Sequence, residues 1–194
     1  MAAGWFSNDA LPVTILATEY PELLVEARTM SVNNDHDQGI GDETATPFEA
    51  TWAWKGGGIA GFLATVVMGT VISVMHLPTL QLAIAGLYGQ SGNLIAGWVA
   101  HLVHGTLFGM IFALLLSAPG LYRVTEWYWK TIVAGIVFGM MLAVVGAGII
   151  MPIWLGVTGF STPPPIPNVT TPLLLWHLIY GLVLGGLFPV LEDN

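Results

Sequence analysis

Four of the five histidines in this chain, His76, His101, His104 and His177, fall within or at the edge of long apolar runs. An ionisable side chain in such a run is costly and marks a functional candidate by default. His101 and His104 stand one helical turn apart and share a helix face. His101 also has a partner at a distance: HLVHGTLFGMIFA (101–113) aligns with HLIYGLVLGGLFP (177–189), so that His101 matches His177 and His104 matches Tyr180. Three kinds of chemistry suit this set. Each imidazole can bridge a helix contact by hydrogen bonding, a role that Tyr at position 180 would share. His101 and His177 can serve as the two axial ligands of haem b, with glycine on neighbouring helices leaving room for the macrocycle. His76, His101 and His104 can form a metal or quinone site, although no carboxylate lies near them in sequence and the chain has no cysteine. His36 lies in a polar stretch and carries no assigned role.

The elements that must hold these residues are four apolar runs, at about 55–77, 94–118, 129–151 and 172–191. Each is long enough to cross a hydrocarbon core of about 30 Å at 1.5 Å per residue. The composition agrees: 55% of residues are hydrophobic and only 8% charged, with 24 glycines and 8 tryptophans. Soluble domains carry roughly 25% charge. The expected fold is an all-α integral membrane protein whose four transmembrane helices are a tandem duplication of a two-helix hairpin. The hairpins occupy 51–118 and 119–194. Trp52-Ala53-Trp54-Lys55 matches Trp127-Tyr128-Trp129-Lys130 at the head of each, and the shared pattern H-L-x-[H/Y]-G-x-x-x-G-x-x-F closes each. Two hairpins running in the same direction imply a pseudo-two-fold axis along the membrane normal.

Small residues recur every four positions in each run, and they are candidates for close helix packing: Gly57, Gly61 and Gly69 in the first, Gly105 and Gly109 in the second, Gly135 and Gly139 in the third, Gly181 and Gly185 in the fourth. The connection from Pro78 to Asn93 is apolar and is expected along the interface. The one from Pro152 to Pro172 contains STPPPIPN and is expected to be extended. Pro78, Pro119, Pro152 and Pro189 lie near run ends, so interrupted helices are not expected.

Residues 1–50 form an acidic arm holding nine of the twelve acids, Asp9, Glu19, Glu22, Glu26, Asp35, Asp37, Asp42, Glu43 and Glu49. A short helix from Pro21 and a polar linker over 31–49 are expected there. The acidity argues against nucleic acid as a partner, since phosphate binding requires Lys and Arg. Lys55, Arg123 and Lys130, with Arg28 in the arm, fall on one side if both termini share it. The positive-inside rule makes that side, and both termini, cytoplasmic in the cell membrane. Trp52, Trp54, Trp127 and Trp129 then form an inner aromatic belt and Trp98, Trp154 and Trp176 an outer one.

The chain has no P-loop, dinucleotide glycine fingerprint, H-E-x-x-H or G-x-S-x-G motif, and no run has an acid or base in its interior. An enzyme or ion-coupled carrier is therefore not expected. Over residues 52–192 the repeated H-x-x-[H/Y]-G-x-x-x-G helix, the short helices and the acidic arm resemble small multi-pass membrane proteins of halophilic archaea, some of which are associated with respiratory oxidase or cytochrome b complexes. The missing catalytic motifs, the glycine-packed bundle and the acidic arm point to a non-catalytic accessory subunit of a larger membrane complex, with the lipid bilayer and other membrane subunits as partners and no cofactor of its own, and the resemblance implies a respiratory electron-transfer complex as its setting. The alternatives are a small b-type cytochrome with His101 and His177 on haem b, and a small channel or carrier.

Overall fold

The computed structural model describes residues 50–118, 121–125 and 127–192; the acidic arm, with its expected short helix and linker, lies outside them. Most of the described residues are helical, and four helices are long and apolar enough to cross a membrane. The first is Ala50–His76, the second Leu94–Leu116 and the fourth Thr171–Glu192. The third span, Tyr128–Val157, is a single run of 30 residues. Asn93 caps the second helix, its side-chain oxygen accepting the Ala96 N–H at 3.1 Å.

Two helix pairs pack backbone to backbone. Gly57 and Gly61 of the first helix meet Gly105 and Gly109 of the second. Gly135 and Gly139 of the third meet Gly181 and Gly185 of the fourth. At every one of these eight positions an added Cβ would fall within 2.9 Å of backbone or side-chain atoms across the contact. Lipid offers little hydrophobic drive between helices, so such close approach supplies the dispersion that holds them. The first and fourth helices also pack along their length, whereas the second and third do not form a packed pair. Across the centre, Phe112, Phe138 and Phe188 converge, with ring centroids 5.4 and 5.6 Å from Phe112. Phe112 and Phe188 hold equivalent places in the two hairpin patterns.

The third span departs from the regular helix expected of it. Leu142–Ile150 is wound as a π-helix, and the helix then continues as Met151–Val157, past the boundary expected at residue 151. The cause is local. Pro152 has no N–H, and the Gly148 carbonyl four residues before it receives the Asn168 N–H at 2.8 Å instead. Gly146 and Gly148 add backbone freedom to the same stretch.

The connection after Pro78 also stays helical, with π winding over Thr79–Ile84. This segment packs on the second helix: a Cβ at Gly97 would strike the Leu80 backbone. The two continuations beyond Pro78 and Pro152 bond to each other. Trp154 Nε1–H donates to the Leu87 carbonyl at 2.9 Å and the Thr158 hydroxyl to the Gly86 carbonyl at 3.1 Å. The first connection is thus a clamp across the bundle end, and the extended second connection begins only after Val157.

Candidate functional site

Above the phenylalanine trio, toward the end remote from Lys55 and Lys130, the bundle encloses a cavity of about 500 Å³. Its walls come from all four helices and the 79–88 segment. The second helix contributes His101, His104, Gly105 and Phe108, and the fourth contributes Leu173, Trp176, His177 and Tyr180. Each set follows i, i+3, i+4, i+7, a single helix face. The π-wound stretch supplies Leu142, Val145, Gly146, Ala147 and Ile150, a use of irregular winding common at functional sites.

The cavity opens sideways. Phe112 and Phe138 join the second helix to the third at one level, and the two helices otherwise do not form a packed pair. Val145, Ile150 and Trp154 line the cavity while also being 46%, 57% and 53% exposed, so they form its rim at the bundle surface.

No acidic or basic side chain other than histidine lines the cavity. Most of its polar groups are engaged within the protein. Thr65 donates to the Gly61 carbonyl at 2.6 Å, Tyr180 to the Gly105 carbonyl at 2.7 Å, and His104 Nε2 bonds the Tyr88 hydroxyl at 2.7 Å. His177 Nδ1 bonds the Leu173 carbonyl at 2.9 Å. A carbonyl only accepts, so Nδ1 carries the proton and Nε2 of the neutral ring is left as an acceptor. Two buried polar atoms on the walls have no partner, His101 Nε2 and the Trp176 indole Nε1. Both side chains are only 6% exposed.

The structure brings His101, His104 and His177 to one cavity, but not His76. His76 Nδ1 bonds the Thr79 hydroxyl at 2.9 Å, and His76 itself does not line the cavity. The metal set of His76, His101 and His104 is therefore not assembled, and among the described residues no three His, Cys, Asp or Glu side chains form a metal-binding group. Gly69 sits under the His101 and Trp98 rings, where a Cβ would lie 3.0 Å or less from both. The other eight glycines lie in the helix contacts, not in the cavity, except Gly105, which is in both.

Trp176 corrects an expectation. It is buried on the cavity wall and not in an outer aromatic belt, and Trp98 packs edge-on against His101 with centroids 6.3 Å apart. Trp54, Trp127, Trp129 and Trp154 are exposed, as interfacial residues are. Sequence reasoning passed over Tyr88, Trp176 and the π-wound wall. The spacing of Leu173, Trp176, His177 and Tyr180 was the available signal for one of them.

No protein-family model matches this chain, and no curated protein or solved structure matches it.

Proposed function

We propose that this protein is a membrane-embedded binding subunit for a lipophilic ligand, acting without catalysis of its own inside a larger membrane complex, with the respiratory chain as its setting. The cavity carries this reading: it is apolar, opens toward lipid and is walled by three histidines. Pockets of this size with few convergent polar groups are the usual form of small-molecule sites. The respiratory setting comes from the sequence resemblance alone. The basic end, with Lys55, Arg123 and Lys130, faces the cytoplasm under the positive-inside rule, so the cavity lies in the outer half of the cell membrane. The tandem repeat of hairpins belongs to the same proposal, supported by the matched glycine contacts and by Phe112 meeting Phe188.

The test is purification from the native membrane in mild detergent, followed by solvent extraction and mass spectrometry. One lipophilic molecule per chain is expected, together with co-purifying membrane subunits. The Gly146→Leu variant fills the cavity from a position where an added Cβ meets nothing within 4 Å, and it should lose that molecule. Recovery of the protein alone and empty refutes the reading.

A second reading, haem b on His101 and His177, is favoured by their shared cavity and by the His177 Nδ1 bond to Leu173, which frees Nε2 as a ligand. Against it, no Lys or Arg lines the cavity to receive the propionates. This reading predicts a Soret band lost in His101→Ala and His177→Ala. A colourless protein from haem-replete cells refutes it.

A further inference from the structure

Resting on the cavity reading, we infer that the ligand is a neutral, hydroxylated aromatic ring on an apolar tail, the isoprenoid quinol class, entering sideways from the bilayer between the second and third helices. Four observations select that class. The walls carry no Lys, Arg, Asp or Glu, so a phosphate head group or a carboxylate would lie there without a counter-charge. The rings of Tyr88, Phe108, Trp154 and Trp176 and the thioethers of Met68 and Met141 offer flat and polarisable surfaces suited to an aromatic ring. Of the polar groups on the walls, His177 Nε2 is left open as an acceptor. A ring hydroxyl meets that need by donating its hydrogen to His177 Nε2. A carbonyl oxygen of the oxidised ring has no hydrogen to offer and would face that lone pair unmatched. Finally, the rim faces lipid, where an isoprenoid tail can remain while the ring is inside.

The site therefore favours the reduced form. One hydrogen bond made by the quinol and denied to the quinone corresponds to about tenfold in affinity. Preferential binding of the reduced form raises the midpoint potential of the bound two-electron couple, by about 30 mV for tenfold.

The experiment uses the full-length protein in detergent micelles with three probes: decylubiquinol kept reduced, decylubiquinone, and the dimethyl ether of decylubiquinol. Saturable thermal stabilisation gives each dissociation constant. The quinol is expected to bind about tenfold more tightly than the other two. His177→Leu should abolish that preference while leaving ether binding in place, His177→Gln, which keeps an acceptor, should retain part of it, and His76→Ala should behave as wild type. Equal binding of all three probes, or a preference that survives His177→Leu, overturns the quinol assignment and leaves a lipophilic site. If no probe binds and the native extract is empty, the cavity reading itself falls. A Soret band at one haem per chain overturns the quinol in favour of haem.

Discussion

Substituting Gly109→Ala places a methyl group where the backbones of the first two helices approach most closely. Its Cβ would lie 2.6 Å from the Gly61 Cα and 2.9 Å from the Gly61 nitrogen, with the Gly57 carbonyl oxygen also inside contact distance. All are backbone atoms, so no side-chain rotation relieves the clash. Carbon atoms rest about 3.5–4.0 Å apart, so the helices must separate by about 1 Å, a gap that removes a quarter to a half of each contact's dispersion energy. The loss extends along the row to Gly57, Gly61 and Gly105. Small-to-large changes in packed interiors cost about 1–3 kcal/mol, and the higher helix propensity of Ala returns up to about 1 kcal/mol. A net destabilisation of about 1–2 kcal/mol is expected. Gly156→Ala is the control, because a Cβ there meets nothing within 4 Å; it should be neutral or stabilising by up to about 1 kcal/mol. Gly185→Ala, at the matching place in the second hairpin, should cost about as much as Gly109→Ala, since its Cβ would lie 2.9 Å from the Ile132 Cα. Reversible unfolding in mixed micelles, followed by circular dichroism, measures all three. Wild-type stability for Gly109→Ala, or an equal loss for Gly156→Ala, would refute the packing argument.

Two further substitutions probe contacts between the hairpins. Tyr180→Phe removes the 2.7 Å bond to the Gly105 carbonyl and should lower stability by about 0.5–1.5 kcal/mol, read by the same unfolding assay; an unchanged midpoint would show that this bond is not formed in the bilayer. Trp154→Phe keeps the ring but removes the indole donor to Leu87, and it should speed protease cleavage in the 158–170 connection, measured by the rate of nicking in micelles. The Thr158 bond to Gly86 remains in that variant, so a global loss of fold would count against the clamp as described.

The four spans were legible because hydrocarbon thickness imposes a length that any 20-residue apolar run satisfies. The glycine rows were legible because a four-residue interval puts small residues on one helix face. What escaped was decided by tertiary geometry. Pro152 read as the end of the third run, because proline usually stops a helix. Here the π-wound stretch before it and the Asn168 N–H at Gly148 accommodate the missing donor, and the helix goes on to Val157. Trp176 read as an interfacial anchor, but its position on the face of Leu173, His177 and Tyr180 turns it inward. The alignment of residues 101–113 with 177–189 singles out His101 and His177 but not the cavity they share. Under an ideal two-fold axis the first helix would pack on the fourth as the third packs on the second. Only the first of those contacts is made along its length, and the cavity occupies the place of the other.

The clamp between residues 86–87 and residues 154–158 bears on how the protein is made. Its donors belong to the second hairpin and its acceptors to the first, 67 and 72 positions apart in the chain. Chains fold from the N-terminus as they are synthesised. The first hairpin can close on its own glycine row while the ribosome is still translating the second. His177 and Trp176 reach the bilayer last, with the fourth helix. The cavity is therefore the final product of membrane insertion, and the ligand proposed for it would be loaded after the polypeptide has been released into the lipid, not during its translocation.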